Sequence, residues 1–207
     1  MPPTARASSM HLDHLGRRAR RTREEIFSAA MYLFAERGVA NVSMQDIADQ
    51  AETARSTVFK HYPQKLALLS DFFIRLGNDA LAAARAKYTV DFRGGMRALF
   101  LAIQQEALKV EPVLREVAGM AVGNGPLAVE EATIDEQMRA YISDLLKVGV
   151  ETGEVHADIK ICEAVHLILC VITDTNRMAI HLDRVQHIAK DQGKRFNMLF
   201  RGLGPAR

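Results

Sequence analysis

The chain has 207 residues, 48% of them hydrophobic and 25% charged, with two cysteines and a formal net charge of +2. That composition fits a globular chain with a sizeable core and argues against a disordered or disulfide-scaffolded one. No stretch approaches the ~20 apolar residues that cross a bilayer, and residues 1–20 lack the apolar segment and cleavage site of a secretory signal, so no membrane partner is expected.

The charge is unevenly spread. Residues 1–65 carry ten Lys/Arg against seven Asp/Glu, while the rest carries 17 against 18. Arg17, Arg18, Arg20, Arg21 and Arg23 supply most of the excess, and a basic tip on a near-neutral body suits contact with a polyanion. Residues 1–21, with two prolines and little apolar material, are expected to form a flexible basic arm.

Thr22 is expected to start the first helix, because Thr22-Arg23-Glu24-Glu25 has the hydroxyl-to-acid spacing of a capping box. Ile26, Ala29, Ala30, Leu33 and Phe34 then form one apolar stripe, and Gly38 can end the helix in a left-handed conformation. Ser43 caps the next helix with Asp46 three residues on. Met44, Ile47, Ala48 and Ala51 give it an apolar face. Glu52 and Thr53 make a turn into a second short helix from about Ala54 to Tyr62, whose buried side is assigned to Val58 and Phe59. Arg55, Ser56, Thr57, Lys60 and His61 are left facing elsewhere. An apolar platform displaying short polar and basic side chains is what a DNA-reading helix needs. Pro63 suits the first position of a further helix running to about Lys87.

The remainder reads as helix throughout. Phe92 to Lys109 forms one helix, Glu111 opens another that ends at the breaker cluster Gly123–Pro126, and a third runs from about Leu127 to Thr152. Asp158 starts a strongly apolar helix to about Leu182, and Val185 to Leu203 forms the last. The expected fold is therefore all-α, about nine helices by this periodicity. A helix-turn-helix domain at 22–66 is followed by a helical body at 67–207.

The first third resembles the TetR family of bacterial transcriptional regulators. The likeness lies in LFAERG at 33–38, in S-x-x-x-I-A-x-x-A at 43–51, and in T-x-F-x-H-Y-x-x-K-x-x-L from Thr57 to Leu68. The Gly153-Glu154 pair between two long helices also agrees. The turn departs from the family pattern: Gly-Val-Ser is replaced by Glu52-Thr53-Ala54. A non-glycine residue held left-handed at Glu52 costs roughly 1–2 kcal/mol. Loss of the serine cap costs about 1 kcal/mol more unless Thr53 substitutes.

The resemblance implies a double-stranded DNA operator as partner, with the helix from Ala54 in the major groove. Arg55 is assigned a guanine contact and Thr57 a thymine methyl or phosphate. Ser43 and Lys65, each at a helix start, are assigned to phosphates. Ser56, Lys60, His61 and Tyr62 complete the expected DNA-binding set, with Tyr62 as a phosphate donor. A single short helix reads few base pairs, so paired half-sites and a homodimer through the last two helices are expected. The body is expected to enclose a small apolar or amphipathic ligand, with Phe100, Gln104, Met120, Met138, Tyr141, Leu145 and His166 as candidate lining.

Cys162, His166 and Cys170 fall at i, i+4, i+8 on one helix face. The two cysteines lie about 12 Å apart along a helix, too far for a disulfide or for one tetrahedral ion. No cofactor or metal is assigned, and a reducing cytoplasm is the expected compartment. The chain lacks a phosphate loop, an H-E-x-x-H pattern and a nucleophile elbow, so an enzyme is not expected. The expected function is a repressor released from a palindromic operator by a small molecule. A protein-interaction module, or a ligand-independent activator, that keeps the helix-turn-helix head is the alternative.

Overall fold

The structure is a computed structural model that describes the backbone of residues 4–87, 91–114 and 131–203, and the side chains of residues 16–87, 91–114 and 136–201. Among the described residues every long element is a helix. These are α1 (Thr4–Arg37), α2 (Met44–Gln50), α3 (Arg55–His61), α4 (Lys65–Ala86), α5 (Phe92–Lys109), α6 (Glu131–Glu151), α7 (Ile161–His181) and α8 (Ile188–Leu203), with 3-10 turns at Val39–Asn41 and Val185–His187. The all-α expectation holds. The chain divides into two compact units, Met1–Leu68 and Leu69–Arg207.

The first helix does not begin at Thr22. It is continuous from Thr4, because between Pro3 and Gly38 a single glycine, Gly16, interrupts a run rich in good helix formers. A hydroxyl followed by an acid caps a helix only where the backbone before it is non-helical. Here Arg21, preceding Thr22 on the same helix, pairs with Glu25 at 2.8 Å. Gly38 ends α1 at φ 77°, its amide donating to the Phe34 carbonyl at 3.0 Å. The fourth helix starts at Lys65 rather than Pro63, the Ala67 amide reaching the Gln64 carbonyl at 3.1 Å.

In the second unit, α5 packs against α6 and α8, and α7 packs against the same two helices. Gly95 and Gly149 make the α5–α6 approach possible. A Cβ on Gly95 would collide with Leu145, and one on Gly149 would lie 3.0 Å from the Cβ of Phe92. Phe92, Phe100, Phe196 and Phe200 join α5 to α8, with ring centroids 5.4 to 5.9 Å apart. Such aromatic pairs contribute about 0.5–1.5 kcal/mol each beyond burial.

Two helix starts in this unit are satisfied from far along the chain. The Glu154 carboxylate accepts from the amides of Phe92 at 2.9 Å and Arg93 at 3.4 Å. Gln104 Oε1 accepts from the Ala189 amide at 2.9 Å. These are the orphan amides that every helix N-terminus must place somewhere. Asp174 of α7 ties to Arg195 of α8 at 2.8 Å and to Arg177 at 3.0 Å. Arg177, then Arg195, holds its carboxyl below the usual carboxylate range.

Candidate nucleic-acid interface

The head is assembled on a small apolar platform. Ile47 and Ala48 of α2 and Val58 of α3 are fully buried, as are Ile26, Ala30 and Phe34 of α1. Burying each Ile, Val or Phe is worth roughly 1.5–3 kcal/mol. Met44 and Ala51, at the edges of the predicted α2 face, are half-buried.

Ser43 starts α2 with a full capping box. Its hydroxyl accepts from the Asp46 amide at 3.1 Å, and the Asp46 carboxylate accepts from the Ser43 amide at 2.7 Å. The Ser43 hydroxyl, and then its amide, holds the Asp46 carboxyl below the usual range. Ser43 therefore uses its amide and its hydroxyl on the start of its own helix.

The turn after α2 is a Schellman motif. The Glu52 amide donates to the Asp49 carbonyl at 3.2 Å and the Thr53 amide to the Ala48 carbonyl at 2.9 Å. This geometry demands a left-handed residue after the cap, and Glu52 supplies it at φ 49°. Ala54 then begins α3 without a side-chain cap, so Thr53 does not replace the missing serine.

Helix α3 leaves Arg55, Ser56 and Lys60 exposed and Thr57 and His61 half-buried. A seven-residue helix on this platform can bury one narrow strip, and Val58 fills it. Phe59, expected to share that buried side, is instead 38% exposed, and the Arg55 guanidinium sits over its ring at 5.3 Å. The contact restricts the rotamers open to Arg55.

Two expected phosphate contacts change role. Tyr62 is 1% exposed, a core residue, with the Arg23 guanidinium over its ring at 4.8 Å. Its hydroxyl cannot meet a phosphate without leaving the core. Lys65 donates from Nζ to the carbonyls of Val39 at 2.7 Å and Val42 at 2.9 Å. Its ammonium binds the turn that delivers Ser43 to α2. Neither the Arg23–Tyr62 stacking nor the Lys65 clasp carries a local sequence signal, because the partners are 39 and 26 or 23 positions apart.

The expected ligand-lining residues are less unified. Phe100 packs on Phe196, Gln104 is engaged by Ala189, and Leu145 fills the space left by Gly95. Met138 is buried. Tyr141 is half-buried under Arg85, 5.6 Å from its ring, and burial raises its hydroxyl above the ordinary phenol range. Met120 lies outside the described residues. His166 is exposed on α7, so it does not line an interior ligand site, a correction that follows from its place on the outer face of that helix. The cysteines beside it are also exposed.

A short helix, set by a tight turn on an apolar platform and presenting basic and hydroxyl side chains outward, defines a helix-turn-helix DNA-binding protein. Residues 26–72 match the family model described as bacterial regulatory proteins, tetR family. The chain is 26% identical over 151 residues to the uncharacterised HTH-type transcriptional regulator YdeS of Bacillus subtilis, covering 71% of this chain and 74% of that protein. It is 22% identical over 159 residues to the HTH-type transcriptional regulator UidR of Escherichia coli K12, covering 76% and 81%.

Among solved structures, the Thermus thermophilus TetR-family repressor FadR in complex with lauroyl-CoA superposes with a TM-score of 0.66 at 22% identity, covering 89% of this chain and 96% of that one. A TetR transcription regulator from Haloarcula marismortui gives 0.64 at 19%, covering 88% and 97%. Residues 26–72 thus carry the segment that the tetR-family model describes, and over 71–76% of its length the chain is similar to HTH-type transcriptional regulators. Among the described residues no helix is long and apolar enough to cross a membrane.

Proposed function

We propose that this regulator is a repressor that binds a palindromic operator as a homodimer and leaves it when a small molecule binds the helical body. The outward face of α3 is the observation that carries the DNA half: Arg55, Ser56 and Lys60 stand exposed on a helix whose other side is locked into the core. Arg55 reads a guanine edge, Ser56 and Thr57 meet bases or phosphates, and Lys60 and His61 hold the backbone. The exposed arginines at 17, 18, 20 and 21 stand on α1 and add sequence-independent attraction.

The dimer reading is supported by apolar side chains left in the open on the last two helices. Leu167 is 45% exposed, Leu182 just beyond α7 is 50% and Met198 of α8 is 76%. Much of the apolar girth of α7 is already used inside the subunit, since Val165, Ile168, Leu169 and Ile172 are buried. What remains is a narrower strip for a second copy. The ligand reading draws on the neighbours: the lauroyl-CoA complex of FadR and a γ-butyrolactone receptor share the fold. Both ligands join an apolar chain or ring to a polar head, which suits Phe100, Met138 and Leu145 beside Tyr141 and Gln104.

Titration of a labelled operator duplex tests both halves. Affinity is expected to fall steeply with salt and to drop at least about tenfold, or about 1.4 kcal/mol, on adding the cognate acyl-thioester or lactone. Salt-independent binding speaks against the DNA reading. Operator affinity unchanged by either ligand class speaks against those ligands.

A further inference from the structure

The outer face of α7 carries chemistry that DNA binding does not use. Cys162, His166 and Cys170 are all exposed there. His166 Nε2 lies 3.7 Å from Cys170 Sγ. A tetrahedral zinc ion bound through sulfur at about 2.3 Å and imidazole nitrogen at about 2.05 Å holds those two atoms about 3.6 Å apart. The pair is therefore set at the bite of a chelate, with the ring nitrogen already turned toward the thiol. Cys162 sits a turn away on the other side of His166, and two helix turns, about 12 Å of axis, separate it from Cys170. It cannot join the same ion.

One chain thus offers two ligands where a structural zinc site takes four. Among the described residues no group of three His, Cys, Asp or Glu is placed to hold an ion. The missing pair has a natural source. Leu167, beside His166, is 45% exposed, and Met178, about three turns further along α7, is 39% exposed, so the face bearing the chelate is also one that a second copy would cover. We propose that His166 and Cys170, together with the same pair from a second copy of this chain, bind a divalent cation of the zinc class across the dimer axis. The proposal rests on the dimer reading above. On binding, the Cys170 thiol releases its proton to solvent and coordinates as thiolate, while His166 coordinates as the neutral imidazole.

Cobalt titration of the reduced full-length chain under anaerobic conditions tests it, because thiolate-bound tetrahedral cobalt has a charge-transfer band and intense visible bands. The expected result is saturation at one ion per two chains, loss of the bands in Cys170→Ser and in His166→Ala, and their retention in Cys162→Ser. All three positions are exposed, so the variants are expected to fold, which circular dichroism checks. Light scattering of the metal-free protein reads the dimer separately. A dimer that shows no cobalt bands overturns the site and leaves the dimer standing. One ion per chain overturns the sharing of the site, and bands lost in Cys162→Ser overturn the choice of ligands. A monomer at every protein and metal concentration overturns both the site and the dimer reading beneath it.

Discussion

Glu52 holds a left-handed conformation, φ 49°, at a position where the Schellman turn favours glycine. The strain relieved by Glu52→Gly, roughly 1–2 kcal/mol, is partly offset by the greater freedom of glycine in the unfolded chain, about 0.5–1 kcal/mol. Urea unfolding is expected to show a midpoint raised by the difference, with an unchanged slope. At Lys65 the sign is opposite. Lys65→Met leaves the carbonyls of Val39 and Val42 without the ammonium that now bridges them, and a loss of about 1–3 kcal/mol is expected in the same measurement. Unchanged stability with weaker DNA binding would instead return Lys65 to a direct phosphate role. Asp46 adds a pH signature. Its folded carboxyl is held below the ordinary range by Ser43, so its contribution is complete above the unfolded carboxylate pKa. That contribution is lost as pH falls through the lowered folded value. Asp46→Asn is expected to flatten that acid limb, and a pH profile identical to the parent would contradict the capping box. Ser43 with Asp46 could be read from local spacing, as could the left-handed demand on Glu52. The roles of Tyr62 and Lys65 could not, because burial and a clasp on distant carbonyls are tertiary facts.

At the scale of elements, hydrophobic periodicity located α2, α3, α5 and α7 to within a few residues, since one face of each is buried and the pattern repeats with the helix turn. It failed at the start of α1. A capping signature there competed with a longer run of helix-compatible residues and lost. The Gly95 position in α5, which as sequence weakens a helix start, is explained by its contact with α6. The sequence showed Glu154 as part of a pair between two helices, but its work is elsewhere: it caps α5 from 62 positions away. Glu154→Ala is expected to cost about 1–3 kcal/mol, since the amides of Phe92 and Arg93 lose their acceptor. Hydrogen exchange is expected to speed at the first turn of α5 and not at α3. Equal acceleration in both helices would mean that Glu154 supports more than this cap.

The whole molecule joins a legible head to a less legible body. The proposed DNA reading constrains α3 residue by residue, so its surface is readable as chemistry. A ligand site of the kind proposed would constrain the body mainly through shape, and Phe100, Met138 and Leu145 look the same in sequence whether they pack on helices or on a ligand. His166 shows the limit: its residue type suggested a ligand contact, and its exposed place on α7 removed it from the interior. The central claim is that α3 reads bases in two symmetric copies. Selection of bound duplexes from a random pool, run in parallel with the parent and Arg55→Ala, measures this most directly. The parent is expected to enrich an inverted repeat with half-site centres about 34–36 Å apart or a multiple of that. Arg55→Ala is expected to lose preference at one symmetric pair of positions, equivalent to roughly 1–3 kcal/mol on the full site. Enrichment of no sequence by the parent, or an unsymmetric motif unchanged by Arg55→Ala, would contradict the account.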